Sequence, residues 1–166
     1  MKRILWIVAA IVLIFVAYGF ATNATKTGPE RRLDFKRYDR SYFERNDTGL
    51  TAQTSYLVFT SQAQFDKIFG PAPTMRRNNF LPDNGFNTKA VVATIARGYF
   101  LRKYDDPKVT TKNGTIYVWY KVKDTQQASA TFASPLILAV DKGGYSEVVF
   151  MEDGKRVGAA TFPRIN

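Results

Sequence analysis

The hydrophobic residues of the chain fall into one long run and a series of short segments. Residues 4–20 (ILWIVAAIVLIFVAYGF) are 17 consecutive positions without a charge. The later segments either alternate between hydrophobic and polar residues or are short and wholly apolar, which is typical of β-strands. The pattern predicts a mainly β domain preceded by an N-terminal apolar helix.

One later segment has helical rather than strand-like spacing. Thr51–Thr60 predicts a strand, and residues 61–69 directly after it predict a short helix. Ser61 is placed to cap the helix N-terminus, with Gln64 as its partner three residues later. The apolar face of this helix consists of Phe65, Ile68 and Phe69.

Residues 70–88 contain several prolines, glycines and asparagines and little periodicity, so they predict a long loop. Loops of this length are functional or mobile. Arg76 and Arg77 form a basic pair in this loop, and Phe80 is one of its hydrophobic residues. These three residues are candidate contacts for a partner, with a loop of no such role as the alternative.

The middle of the chain predicts a strand covered on both faces and then a hairpin. Residues 89–96 (KAVVATIA) are mostly small and apolar, as expected for a central strand. Asn113-Gly114 separates the β-rich residues 109–112 and 115–123. Asn-Gly is a strong hairpin signal because both turn positions require positive φ.

Two polar stretches, residues 104–107 (YDDP) and 124–134, predict connecting loops. Glycine turns then separate three more strands, at residues 136–140, 145–151 and 156–162. Such a meander with one short helix predicts an α+β, mainly β fold. We expect an antiparallel sheet that curls or forms a partly open barrel, with the helix packed against it.

Aromatic residues in the predicted strands are candidates for an exposed platform. Tyr117 and Trp119 share one face of the strand at residues 115–123, opposite the face that carries Ile116 and Val118. Tyr99 and Phe100 form a second aromatic pair. Such residues bind a sugar or a protein partner when their strand face is uncovered, and otherwise belong to the core.

The N-terminal run predicts export. Residues 1–24 are interpreted as a signal peptide, with cleavage after Ala21 or Ala24, or as a membrane anchor. The length of the run leaves both interpretations open, because a helix from Ile4 to Phe20 spans about 25 Å, slightly less than the roughly 30 Å hydrocarbon core of a bilayer. Lys2 and Arg3 place the N-terminus on the cytoplasmic side. The remaining chain is then periplasmic or anchored at the inner membrane, or secreted if cleaved.

Two further segments complete the predicted domain organisation. Residues 25–45 are a basic, aromatic linker or a first strand, and residues 46–166 are a single β-rich extracytoplasmic domain. The formal net charge is +10, and +8 without Lys2 and Arg3. In an exported protein such a charge favours anionic envelope surfaces or acidic partner proteins over nucleic acid.

The composition excludes several kinds of chemistry. The chain has no histidine and no cysteine, so catalytic triads, zinc sites and disulfides are excluded. Asp105 and Asp106 are adjacent carboxylates, but neighbours on an extended chain point apart and a solvated turn explains them. No phosphate-binding, dinucleotide or calcium motif occurs. We therefore predict no catalytic, cofactor-binding or metal-binding residue.

The predicted elements between Tyr56 and Val157 follow a definite order. A strand comes first, followed by the helix pattern of Ser61 and Phe65 and by a loop leading to Phe86. Then come the apolar strand 91–93 with Gly98 nearby, a hairpin, and Ser134-Pro135 before a hydrophobic strand. In this order the chain resembles the C-terminal domain of the PrcB protease-complex subunit family of bacterial exported proteins. The resemblance implies an extracytoplasmic β-rich accessory module that binds or stabilises another protein.

The sequence thus favours a non-enzymatic envelope protein that mediates protein or envelope contacts and needs no cofactor. Two alternatives remain open. One is a hydrolase of carbohydrate, because glycosidases need only two suitably spaced carboxylates. The other is a polyanion-binding envelope protein, whose affinity would fall steeply with salt.

Overall fold

A computed structural model describes residues 28–72 and 79–163. The apolar run from Ile4 to Phe20 and the loop residues Arg76 and Arg77 lie outside these residues. Within the described ranges, neither helix has the length and hydrophobicity needed to traverse a bilayer.

Strands dominate the described part of the chain, with two short helices beside them. The sequence predicted either a linker or a first strand for residues 25–45, and residues 31–44 contribute three of the strands. The elements are β1 (Arg31–Arg32), β2 (Phe35–Arg37), β3 (Tyr42–Glu44), β4 (Thr54–Phe59), α1 (Gln62–Ile68), β5 (Phe69–Pro71), α2 (Gly85–Thr88), β6 (Lys89–Lys112), β7 (Thr115–Asp141), β8 (Glu147–Glu152) and β9 (Lys155–Thr161).

The fold is built on one long hairpin formed by β6 and β7. The two strands pair antiparallel from Lys89 opposite Asp141 to Lys112 opposite Thr115. Asn113 and Gly114 connect them with φ values of 52° and 76°. The hairpin turn predicted at Asn113-Gly114 is therefore confirmed.

The hairpin bends near its middle and folds back on itself. Its register shifts between Gly98 and Phe100 and again between Phe100 and Arg102. At the far end of β7 the chain returns to the strand's beginning, where the backbone N–H of Ser146 donates to the carbonyl oxygen of Gly114 at 2.9 Å. The bend therefore brings two halves of one hairpin face to face.

We name the two halves by their strands. Half-sheet A contains residues 89–98 of β6 and 132–141 of β7, flanked by β4 and β2. Half-sheet B contains residues 102–112 and 115–124, flanked by β1 on one side and by β8 and β9 on the other. The bend comprises the residues between the halves.

Half-sheet A is buried on both faces. On one face it meets half-sheet B across a core of Val92, Tyr104, Val109, Ile116, Val118, Tyr120, Leu136, Leu138, Val140, Val148 and Phe150. On the other face it meets the helices across a core of Tyr38, Phe59, Phe65, Phe69, Leu81, Phe86, Val91, Ala93, Ile95, Ile137 and Ala139. Alternate residues of β6 point into the two cores, as predicted for a strand covered on both faces.

Helix α1 follows the capping pattern in its sequence. The Ser61 hydroxyl accepts a hydrogen bond from the Gln64 backbone N–H at 3.4 Å, and the Gln64 side chain accepts one from the Thr60 N–H at 3.1 Å. The helix ends at Ile68, because Phe69 already has extended backbone and begins β5. Phe65 is buried on the helix face, as expected, whereas Phe69 is buried as the first residue of β5 and not as part of the helix.

The prediction that residues 104–107 and 124–134 form connecting loops is wrong. Both stretches lie within the long strands. Residues with direct partners across the hairpin are Tyr104, Asp105, Asp124, Gln127 and residues 132–134, because backbone pairing does not depend on side-chain polarity. A register shift between Asp105 and Lys108 absorbs the irregular stretch, and Asp106 has a φ of 49° there. Such a bulge keeps a strand continuous while inserting extra residues on one side.

The prediction of a purely antiparallel sheet is also wrong. β8 pairs with β7 in parallel, from Thr115 opposite Glu147 to Tyr120 opposite Glu152. The reason is the folding back of β7, which delivers the next strand beside the start of β7 rather than beside its end. The sheet is therefore mixed, and it is not closed into a barrel.

The predicted long loop at residues 70–88 contains regular structure as well. Its first residues continue β5, which pairs with β3, and its last residues form α2, so the described part of the chain has two short helices rather than one. Leu81 and Phe86 are buried in the core on the helix side. These buried side chains hold the segment against half-sheet A.

The free edges of the two halves meet through one aromatic ring. Tyr56 of β4 packs on Gly158 of β9, and its ring centroid lies 5.0 Å from that of Phe150. A Cβ atom added at Gly158 would lie 2.1 Å from Cε2 of Tyr56. Glycine is therefore required by this close approach.

Two tyrosine hydroxyls in the core between the half-sheets differ in their partners. The Tyr104 hydroxyl donates to the carbonyl oxygen of Ser134 at 3.0 Å. The Tyr120 hydroxyl is buried and faces the Thr94 hydroxyl, but neither the Tyr120 nor the Thr94 hydroxyl makes a hydrogen bond of normal geometry within the described residues. Burial raises the pKa of both phenols well above its usual range, so both stay neutral in the fold.

The contact at Gly158 predicts a specific loss of stability. Gly158→Ala must displace the Tyr56 ring, so we expect it to lower the free energy of unfolding by about 1–3 kcal/mol in urea denaturation. Gly98→Ala is the matched control, because a Cβ atom at Gly98 meets no heavy atom within 4 Å. Equal stability of the two variants would contradict this packing.

Tyr104 and Tyr120 should respond differently to replacement by phenylalanine. Tyr104→Phe removes a made hydrogen bond and should cost about 1 kcal/mol of unfolding free energy. Tyr120→Phe removes a buried hydroxyl without a partner and should be neutral or stabilising. Thermal unfolding of both variants checks this, and a larger loss for Tyr120→Phe would show that its hydroxyl is paired.

Candidate binding surface

The outer face of half-sheet B is the part of the sheet that the helices leave open. Both described helices lie on the side of half-sheet A. Directly paired residues of neighbouring strands point to the same face, so the registers define two rows on this outer face. They are Arg32, Thr110, Tyr117, Val149 and Ala159 in one row, and Lys108, Trp119, Met151 and Arg156 in the other. We call this surface the aromatic face.

Tyr117 and Trp119 form the centre of the aromatic face. Their rings are stacked, with centroids 6.4 Å apart and planes inclined by 27°. The indole N–H of Trp119 donates to the Thr110 hydroxyl at 3.1 Å, which fixes the orientation of the ring. Both side chains are partly exposed. The two rings thus lie together on one face and keep part of their surface exposed, and their role as a binding platform stays a prediction.

A groove of about 500 Å³ lies beside Trp119. Trp119 and Met151 provide its apolar wall. Charged side chains of both signs line the remainder, and the Lys121 ammonium lies 3.4 Å from the Asp106 carboxylate. The charged lining residues are Glu30, Asp106, Lys108, Lys121 and Asp153. An apolar wall with a polar rim can bind a ligand that has both kinds of surface.

The adjacent carboxylates form separate surface ion pairs. Asp105 lies 3.3 Å from Lys123, and Asp106 lies 3.4 Å from Lys121. The two carboxylates therefore face different lysines rather than each other. In the described ranges, no group of three or more Asp or Glu residues is arranged to hold a metal ion.

The structure does not bring Phe80 to this surface. Phe80 is 42% exposed, and its ring contacts Tyr42 edge to face at 5.5 Å. Tyr42 packs against the core on the helix side, so Phe80 belongs to the opposite side of the domain. Arg76 and Arg77 lie outside the described residues.

A second exposed hydrophobic group lies at the bend and directly beside it. Tyr99 and Phe100, which the sequence singled out, are exposed there together with two residues that it did not, Leu101 and Phe132. Gly98 pairs with Phe132 across the hairpin. Pattern analysis missed Phe132 because residues 124–134 were interpreted as a loop, which has no strand face.

The cross-strand neighbours Lys108, Met151 and Arg156 were also missed. Lys108 lies in β6 beyond the bulge, and Met151 and Arg156 join the face through the parallel pairing of β8 and its partner β9. No local sequence pattern specifies that pairing. Only the alternation of Tyr117 and Trp119 with buried residues signalled this surface.

Comparisons with known proteins identify no relative of this chain. No protein-family model, no curated protein and no solved structure matches it.

Proposed function

We propose that this chain is a non-enzymatic, extracytoplasmic accessory or binding protein of the bacterial cell envelope, which contacts another envelope component through the aromatic face. The observation that carries the proposal is the stacked, oriented and partly exposed pair of Tyr117 and Trp119. Aromatic side chains on an uncovered sheet face are enriched at binding surfaces because they bury a large area with few rotatable bonds.

The rigidity of this surface favours binding. The Trp119 ring is held by Thr110 and by its stack with Tyr117, so little conformational entropy is lost when a partner covers it. Lys108 and Arg156 lie at the ends of the same row and provide a polar rim. An apolar centre with a charged rim is the usual anatomy of a protein-binding surface.

The envelope location rests on the N-terminal sequence. The uncharged run from Ile4 to Phe20, with Lys2 and Arg3 before it, supports export as a cleaved or anchored protein. The accessory role agrees with what the resemblance to the PrcB C-terminal domain family implies. Since no family model matches, the proposal depends on the surface and the N-terminal run rather than on descent.

Two other functions have specific support on the same surface. The basic residues Arg32, Lys108 and Lys121 on and around the aromatic face favour a polyanion as ligand. The carboxylates Asp106 and Asp153 in the groove are those that a carbohydrate hydrolase would use. Both alternatives concern the groove beside Trp119, so they are tested there.

The proposal predicts that binding depends on the two rings. Replacing Tyr117 and Trp119 with Ala should weaken partner capture from envelope extracts at least about tenfold, equivalent to about 1.4 kcal/mol. Phe80→Ala is the matched control, because Phe80 is an exposed aromatic residue on the opposite side. Equal capture by both variants would refute a role for the aromatic face.

Thr110→Val provides a second test that leaves both rings in place. The substitution keeps the shape of the side chain but removes the acceptor of the Trp119 indole N–H. We expect an intermediate loss of partner capture with an unchanged melting temperature. Loss of folding in the Ala variants would then leave Thr110→Val as the deciding measurement.

The alternatives predict different results with purified ligands. A polyanion site predicts that affinity for an anionic cell-wall polymer falls linearly on a logarithmic salt scale, and that Lys108→Gln with Lys121→Gln reduces the slope. A hydrolase predicts release of soluble sugars that Asp106→Asn or Asp153→Asn abolishes. We expect neither a steep salt dependence nor released sugar.

A further inference from the structure

The described chain begins at one end of the folded hairpin. The backbone N–H of Gly28 donates to the side-chain carbonyl oxygen of Asn113 at 2.8 Å. Asn113 occupies the turn between β6 and β7. The N-terminal segment therefore joins the domain beside that turn rather than beside the bend.

Several other connections meet at the same end. The Lys142 N–H donates to the Thr88 carbonyl oxygen at 2.8 Å, and the Phe162 N–H donates to the Ser146 carbonyl oxygen at 2.9 Å. The Ser146 N–H in turn reaches Gly114. We call this part of the surface the turn end: residues 28–32, 112–115 and 141–146.

The distances separate the turn end from the bend. Seven residues lie between Phe20 and Gly28, and even a fully extended segment of that length spans only about 25 Å. Along β6, the ten residues from Lys112 back to Arg102 span about 33 Å. An apolar segment in a bilayer would therefore hold the turn end close to the headgroups, with the bend farther out.

The turn end is basic. Its exposed cations are Arg31, Arg32, Lys112 and Lys142, and none of them forms an ion pair with an acidic side chain in the described part of the chain. The carboxylate of Asp141 is already engaged by Lys89 at 2.6 Å. Glu30 is the other acidic residue of this end.

We propose that the turn end rests on anionic lipid headgroups, with Arg31, Arg32, Lys112 and Lys142 as the contacts, and that the bend points away from the membrane. The inference rests on the anchored form of the proposed function. Basic residues close to an anionic leaflet are each attracted to it. A tether of seven residues keeps them at high effective concentration near the surface, so weak individual contacts suffice.

The absence of cysteine from the sequence permits a direct test of this orientation. Gly144→Cys places a label at the turn end, and Gly98→Cys places one on the last residue of β6 before the bend. A Cβ atom at either position meets no heavy atom within 4 Å, and neither glycine has positive φ, so both variants should fold.

The full-length labelled protein is reconstituted into vesicles of phosphatidylcholine and phosphatidylglycerol that carry a nitroxide on the headgroup. We expect strong quenching of a fluorophore at Gly144→Cys. The fluorophore at Gly98→Cys should keep the intensity that it has without nitroxide lipid, because the bend lies about 30 Å farther away. Equal quenching, or stronger quenching at the bend, would overturn the proposal.

Charge reversal tests the headgroup contacts themselves. Lys112→Glu with Lys142→Glu should reduce quenching at position 144 in anionic vesicles to the level seen in pure phosphatidylcholine. The matched control is Lys103→Glu with Lys155→Glu, which makes the same charge change at exposed residues away from the turn end. Equal effects of the two pairs would show that only net charge matters and would refute the specific contacts.

Flotation of the same vesicles separates this proposal from the anchoring on which it rests. Protein that floats with vesicles but shows no difference between the labels keeps the anchor and refutes the orientation. Protein that does not float refutes both. Partner capture by the Tyr117 and Trp119 variants is a separate measurement, so its result does not depend on either outcome.

Discussion

The folding back of the β6–β7 hairpin determines most of the remaining structure. The hairpin is too long to lie flat on one core, and its inward side chains are mostly apolar in both halves, so bending lets the halves bury each other. Val92 and Leu138 of half-sheet A then meet Val118 and Phe150 from the side of half-sheet B. Burial of this area is the main favourable term available to a domain without disulfides.

Hydrogen bonds fix the place where the hairpin bends. Ser134 is buried on the β7 side, where its hydroxyl accepts from the Arg102 backbone N–H at 3.1 Å and its carbonyl oxygen accepts from Tyr104. These bonds join the first residues of half-sheet B to the first β7 residues of half-sheet A. The register shifts at Phe100 and Arg102 supply the irregular backbone that a sharp change of direction requires.

The sequence predicted the features that depend on near neighbours. Asn113-Gly114 specifies its own turn, Ser61 caps its own helix, and the apolar run of residues 89–96 shows burial on both faces. The bend was not predictable in the same way. It depends on contacts such as that of Tyr104 with Ser134, thirty residues apart, and polar residues 124–134 look like a loop when their partner strand is unknown.

The candidate surface was likewise predictable only where it depends on near neighbours in the sequence. Alternation alone placed Tyr117 and Trp119 on one face, opposite Ile116 and Val118. Whether that face is covered depends on where the helices pack, which is a property of the whole fold. The parallel strand β8, which brings Met151 beside Trp119, follows from the return of β7 to its own start and leaves no local signature.

The two proposed surfaces constrain each other geometrically. The strands of half-sheet B run from the turn end toward the bend, so a domain standing on its turn end presents the aromatic face sideways. Trp119 is four residues from Thr115 along β7, or about 13 Å from the turn. In the proposed orientation, a partner of the aromatic face would lie in the layer directly above the headgroups. The membrane-proximal part of a membrane protein would reach that layer more readily than a distant polymer would, and Tyr99 and Phe100 would lie at the outer tip of the domain.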